Sequence, residues 1–203
     1  MDFTPIFLGR NPSGGALAVK EESGREVPMW QIRPEEPGDT PRVEALVARS
    51  FGPGRIAKSA YRLREGVHPE PGLSFVAVED GMLKGSVRFW PIAVGDTRAL
   101  LLGPLAVETK ERGRGMGLAL MQRGIDEARA GGHHAILLVG DVPYYSRVGF
   151  ASIPEGRVMF PGPVDPARIL ALGLGEGAFE SLKGPIHRAR IDDPACADST
   201  PLG

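Results

Sequence analysis

The chain has 203 residues, and its 24 Lys and Arg against 25 Asp and Glu leave a net charge of −1, a balance that favours neither nucleic acid nor an anionic membrane surface as partner. The length suits one domain with a substantial core, and the lone cysteine, Cys196, excludes a disulfide framework or a cysteine metal cluster and sits in too polar a tail for an acyl-carrying nucleophile. No apolar run approaches the ~20 residues of a membrane span, and the stretch at 5–8 is too short for a secretory leader, so the expected compartment is the cytoplasm.

Residues 1–28 mix Gly, Pro, Ser and charge without periodicity and read as a loosely ordered arm ahead of one domain, 29–191. A short strand is expected over 29–34. Asp39 or Thr40 then caps a helix with Pro41 in its first turn and Val43, Leu46, Val47 and Phe51 on its apolar face. Gly52, Pro53 and Gly54 break the chain, and 55–65 reads as a second, more basic helix. Strands over 73–78 and 83–90 flank the turn 79–82, where Asp80-Gly81 is a strong hairpin signal. A third antiparallel strand begins at Thr97, and its segment 99–107 is apolar enough to be buried on both faces.

A glycine-rich turn, 112–117, leads into a helix with Leu118, Met121, Ile125 and Ala128 on its buried side, stopped at Gly131-Gly132. Residues 135–139 form a second fully apolar strand. A strand–helix–strand unit of this length makes its strands parallel with a right-handed crossover. After Phe150, Pro161-Gly162-Pro163 interrupts the chain, Asp165-Pro166 starts a short helix through Ala171, and 177–182 with 184–191 suggest a closing hairpin. Residues 192–203 read as a frayed tail. The class is α/β (α+β), an antiparallel N-terminal meander followed by a parallel strand pair.

Two places in this pattern carry chemistry. Gly113, Gly115 and Gly117 allow a tight turn and close approach of a ligand to the backbone. The helix after them begins with unpaired N–H groups and the positive end of its dipole, suited to phosphate, and Arg112 and Arg114 add fixed charge. The plainer reading is a glycine turn beside two solvated arginines. The spacing fits neither G-x-G-x-x-G nor a Walker loop. The second place is Pro104, which removes a ladder hydrogen bond from a central strand and predicts a bulge or a splay after Gly103, unless it is a harmless strand-end proline.

The run Arg112-Gly113-Arg114-Gly115-Met116-Gly117 resembles the Arg/Gln-x-x-Gly-x-Gly/Ala signature of the GNAT superfamily of acyl-coenzyme-A-dependent N-acetyltransferases. Tyr145-Ser146-Arg147-Val148-Gly149-Phe150 resembles that family's Tyr-x-x-x-Gly-Phe segment, and Gly140-Asp141-x-x-Tyr144-Tyr145 ahead of it is similar to an uncharacterised bacterial subgroup. The resemblance spans about residues 31–190. It implies a mixed sheet of about six to seven strands, acetyl-CoA as cosubstrate, no metal, and direct transfer in a ternary complex to the amine of a small molecule or peptide. It places the pyrophosphate on Arg112, Gly113, Arg114, Gly115, Met116 and Gly117, and the pantetheine arm, added like a short strand, on Leu105, Ala106 and Val107. Tyr145 falls in register with the group that meets the leaving sulfur; Tyr144 is its neighbour. The first two helices would wall the acceptor cleft.

A base for the acceptor ammonium stays unassigned, since Glu79, Asp80 and Glu108 read first as solvated charges and His133 and His134 end a helix. The rival readings are a non-catalytic acyl-CoA-binding or interaction module of the same fold and a transferase of longer acyl chains; a homodimer is possible. The loops 52–54, 66–72 and 158–166, which would select the acceptor, carry no recognisable pattern.

Overall fold

In the computed structural model, residues 30–52 and 59–189 are described. The expectations for the arm, for Met29, for 53–58, for the tail and for Cys196 lie outside them. The path of the central sheet begins with β1 (Gln31–Pro34), β2 (Ser74–Glu79), β3 (Met82–Val94) and β4 (Thr97–Val107), an antiparallel meander. It continues through β5 (Ala135–Val139), parallel to β4, and then β8 (Ile169–Gly173) and β6 (Ala151–Ser152). Two short strands complete it: β9 (Gly184–Arg188) pairs with the far half of β3, and β7 (Val158–Met159) pairs with β9. The β2–β3 turn has positive φ at both Asp80 (51°) and Gly81 (72°), the conformation a two-residue hairpin needs.

Alternation along the strands fills both faces. On β4 and β5, Leu100, Leu102, Ile136 and Leu138 join the core under α3 (Met116–Ala130), while Ala99, Leu101, Ala135 and Leu137 face a second core beneath Leu63, Ile92 and Leu182. On the same side as that second core, α1 (Thr40–Phe51) lays Val43, Leu46 and Val47 over Val76 and Ala106. Close packing of α3 explains two of its neighbours' sizes: a Cβ on Gly85 would lie 2.9 Å from Leu120, and one on Gly124 only 2.2 Å from the Phe89 ring.

Three local expectations need correction. The buried stripe of α3 runs through Leu120 with Met121, Ile125 and Ala128, whereas Leu118 is only half-buried. The helix expected through Ala171 is a single 3-10 turn, Pro166–Arg168, capped by Asp165 Oδ1 on the Ala167 N–H; Ile169–Ala171 are buried strand, because β5 and β6 both pair there. The first arm of the expected closing hairpin is a helical turn, α5 (Ala178–Ser181), which packs so tightly on β8 that a Cβ at Gly173 would meet the Phe179 nitrogen at 2.9 Å. Its second arm is β9, paired with β3.

Candidate active site

The site grows from the point where β4 and β5 part. Their parallel pairing consists of Leu100 with Ile136 and Leu101 with Leu137, and β4 continues beyond it without β5. Gly103-Pro104 is where they separate. Opposite, Val87 faces Leu105 and Phe89 faces Leu102, so β4 carries one extra residue there, a bulge. The Trp90 indole N–H donates to the Gly103 carbonyl at 2.5 Å and fixes it. Beyond the bulge the Glu108 N–H donates to the Lys84 carbonyl of β3. Alternation then turns the Ala106 N–H toward β3 as well, and the Leu105 and Val107 N–H groups into the opening. Ala106 therefore faces the opening with neither its amide nor its side chain, which is buried under α1.

A cavity of about 540 Å³ occupies this opening. Glu44, Val47 and Phe51 of α1 and Tyr61 of α2 (Ser59–Arg62) form one wall, and Leu105 and Tyr145 belong to another. Tyr145 closes a one-turn helix, α4 (Val142–Tyr145), which follows β5 with Pro143 in its first turn. Its ring lies on Gly140, where a Cβ would come within 2.1 Å, and stands edge-on to Phe150 at 6.1 Å. Burial, then the neighbouring Tyr144, pushes the Tyr145 hydroxyl up to about 12, so it is protonated at neutral pH and able to donate. Tyr144, at 5.1 Å and nearly perpendicular, points elsewhere: its hydroxyl occupies the notch left by Gly117, 2.3 Å from where a Cβ would stand. Burial raises its pKa too.

That notch borders the glycine turn. Gly113 and Gly115 adopt φ of 82° and 85°, and Gly115 forms the entry to α3. The first bond of the helix runs from the Ala119 N–H to the Gly115 carbonyl, so the Met116, Gly117 and Leu118 N–H groups precede any helical acceptor. Gly117 lies between Tyr144 and Val107, whose Cγ2 is 3.7 Å from the position of a Cβ. The two arginines of the turn differ. Arg114 grips Glu79 at 2.8 Å and also Glu111, ties that raise its own pKa and lower that of Glu79, and so staples the turn to the β2–β3 hairpin. Arg112 is exposed, with no ion pair among the described residues.

The sequence reading missed the charges in and beside the cavity. Arg88, on β3 and 7% exposed, is held in fork geometry by Glu35 and bonds Glu44 at 2.6 Å. Burial alone would lower its pKa, but the hydrogen bonds and charge of Glu35, then Glu44, hold it above the ordinary value. Arg64 lies over the Tyr61 and Trp90 rings, 6.0 Å from each centroid, and burial brings it down to about 10. A charged residue facing inward from an otherwise apolar strand, as Arg88 does, was the available signal. None of Glu79, Asp80, Glu108, His133 and His134 lines the cavity. Glu108 pairs with Arg49 at 2.6 Å, and His134 Nε2 is 3.0 Å from the Ser181 hydroxyl. Among the described residues no cluster of His, Cys, Asp or Glu has the makings of a metal site, and no helix is long and apolar enough to cross a membrane.

Comparison with known proteins agrees with this geometry. The chain is 38% identical over 136 residues to the uncharacterized N-acetyltransferase YhbS of Escherichia coli strain K12, covering 64% of this chain and 80% of that one. The fold superposes on a crystal structure of the E. coli GNAT family N-acetyltransferase YhbS in complex with CoA with a TM-score of 0.67 and 31% identity, across 81% of this chain and 92% of the other. A GNAT family acetyltransferase from Brucella melitensis in complex with acetyl-CoA matches with a TM-score of 0.52 and 26% identity, across 74% and 97%. Residues 40–150, which hold the glycine turn, the parted strands and both tyrosines, match the model of the acetyltransferase (GNAT) family, and the chain belongs to that family.

Proposed function

We propose that the protein transfers an acetyl group from acetyl-CoA to an amine by direct attack in a ternary complex. The observation that carries the reading is the neighbourhood, through Gly117 packed on Val107 and on Tyr144, of an unpaired strand edge, a helix start rich in free N–H groups and a protonated tyrosine. The pyrophosphate sits over the glycine turn, held by the backbone N–H groups of residues 113–118 and by Arg112, with Arg114 bracing the turn. Pantetheine lies along β4, bonded to backbone groups of Leu105 and Val107, and the cleft between α1 and α2 takes the acceptor.

The amine nitrogen attacks the thioester carbonyl carbon, whose oxygen gains negative charge near the free β4 amides. The carbon–sulfur bond then breaks, and the Tyr145 hydroxyl donates to the departing thiolate. Glu44, held on the cavity wall by Arg88, receives the acceptor ammonium and gives its proton a path to solvent. The coenzyme half of this reading is tested by calorimetry with CoA. Gly115 has open space around its Cβ position, so Gly115→Glu adds bulk and negative charge without a packing clash, and Gly115→Ala controls for the strain of a side chain at φ 85°. Affinity should fall at least about tenfold for Gly115→Glu and less for Gly115→Ala. Unchanged binding in folded Gly115→Glu refutes the phosphate site.

A further inference from the structure

Three arginines, Arg64, Arg88 and Arg168, line the cavity. Arg88 is neutralised by Glu35 and Glu44, and Arg168 pairs with Asp141 at 3.2 Å. Arg64 has no carboxylate partner among the described residues; its Nε donates to the Ala60 carbonyl at 3.0 Å, and its two terminal nitrogens are left over. The remaining acids of the lining, Glu65 and Asp165, are exposed and pair with none of the three. A half-buried cation with no carboxylate bonded to it is costly to fold around, and of the carboxylates only the charge of Glu44, acting from farther off, favours it. The Tyr61 and Trp90 rings offset part of that cost and hold the planar guanidinium in place.

A flat, pre-oriented fork of N–H donors matches a carboxylate, which it binds with two parallel hydrogen bonds. Glu44, on the same cavity, has a side chain 55% exposed and is already anchored through Arg88, a setting for a cation. We infer that the acceptor is an amine that also bears a carboxylate, an amino-acid-like zwitterion whose carboxylate docks on Arg64 while its amine lies toward Glu44 and the thioester. This rests on the acetyl-transfer reading above and narrows it. The bound acid supplies the directly bonded carboxylate that Arg64 lacks in the free protein.

The test uses the products such a reaction would release. A set of N-acetyl-amino acids and their carboxamides, which differ only in the charge Arg64 would read, is titrated against the CoA-loaded protein by thermal shift, for wild type, Arg64→Met and Arg64→Lys. At least one acid should bind wild type about 10–100-fold more tightly than its carboxamide, the scale of losing a charged hydrogen-bond pair. Arg64→Met should remove that preference and Arg64→Lys should keep part of it, while the shift given by CoA alone stays the same in all three. Amides that bind as well as acids, an acid preference that survives Arg64→Met, or no response to either series each overturns the carboxylate assignment and leaves the coenzyme site standing. Absence of any CoA shift in wild type overturns both.

Discussion

Gly117→Ala is a sensitive probe of how the glycine turn is joined to the tyrosine pair. The added Cβ would stand 2.3 Å from the Tyr144 hydroxyl oxygen but 3.7 Å from the ring carbon that bears it. The first distance is far inside the ~3.5 Å of an ordinary contact and the second is comfortable. Overpacking of this kind costs about 1–3 kcal/mol, and alanine in place of helical glycine recovers up to about 1. The net loss should be about 1 kcal/mol, or about 2–4 °C in melting temperature for a domain of this size. In a Tyr144→Phe background the offending oxygen is gone, so Gly117→Ala should become neutral or stabilising. Melts of the four proteins close a double-mutant cycle with a coupling of about 1–2 kcal/mol. An equal cost of Gly117→Ala in both backgrounds would mean that the hydroxyl does not fill the glycine notch.

Two further expectations concern the charges. Arg88→Met leaves Glu35, whose side chain is 7% exposed, buried without its partner, and chemical denaturation should show a loss of about 3–5 kcal/mol; the double change with Glu35→Gln should recover much of it, and no recovery would contradict the pairing. The hydrogen bond and charge of Arg33 hold the Asp39 carboxyl below its ordinary value. A folded-state pKa below the unfolded one contributes stability above about pH 4, the unfolded value, and loses it as pH falls through the depressed one. Melts between neutral and acid pH should therefore fall more steeply for wild type than for Arg33→Met, and parallel curves would refute the linkage.

Local pattern made much of the fold legible. The apolar run of β5 ends where the structure ends it, Asp80-Gly81 forms the tight turn, and Pro104 marks the bulge at which the strands part. Each of these is dictated by residues adjacent in sequence. The misread segments are those whose state is set by distant partners. Ile169–Ala171 follow a good helix start yet become strand because β5 and β6 meet there, and 178–181 coil against β8 because Gly173 leaves room. Within the site, the glycine turn and Tyr145 follow from motif order. Arg114, grouped with Arg112 by sequence, is bound by two acids that only the folded hairpin brings near. The proposed acceptor side was opaque for the same reason: Glu35, Glu44, Arg64 and Arg88 come from four separate segments and share no spacing.

Tyr145→Phe tests the proposed chemistry most directly, because it keeps the ring on Gly140 and against Phe150 and removes only the hydroxyl. The readout is amine-dependent thiol release from acetyl-CoA, with an acceptor drawn from a screen of amines, amino acids and peptides, beside acetyl-CoA affinity by calorimetry. A donor that acts only as sulfur leaves should affect kcat and spare binding. Turnover should drop about 10²-fold with affinity within a few-fold of wild type, and Tyr144→Phe should turn over nearly normally. Full turnover in Tyr145→Phe, or a crippled Tyr144→Phe beside it, would contradict the assignment.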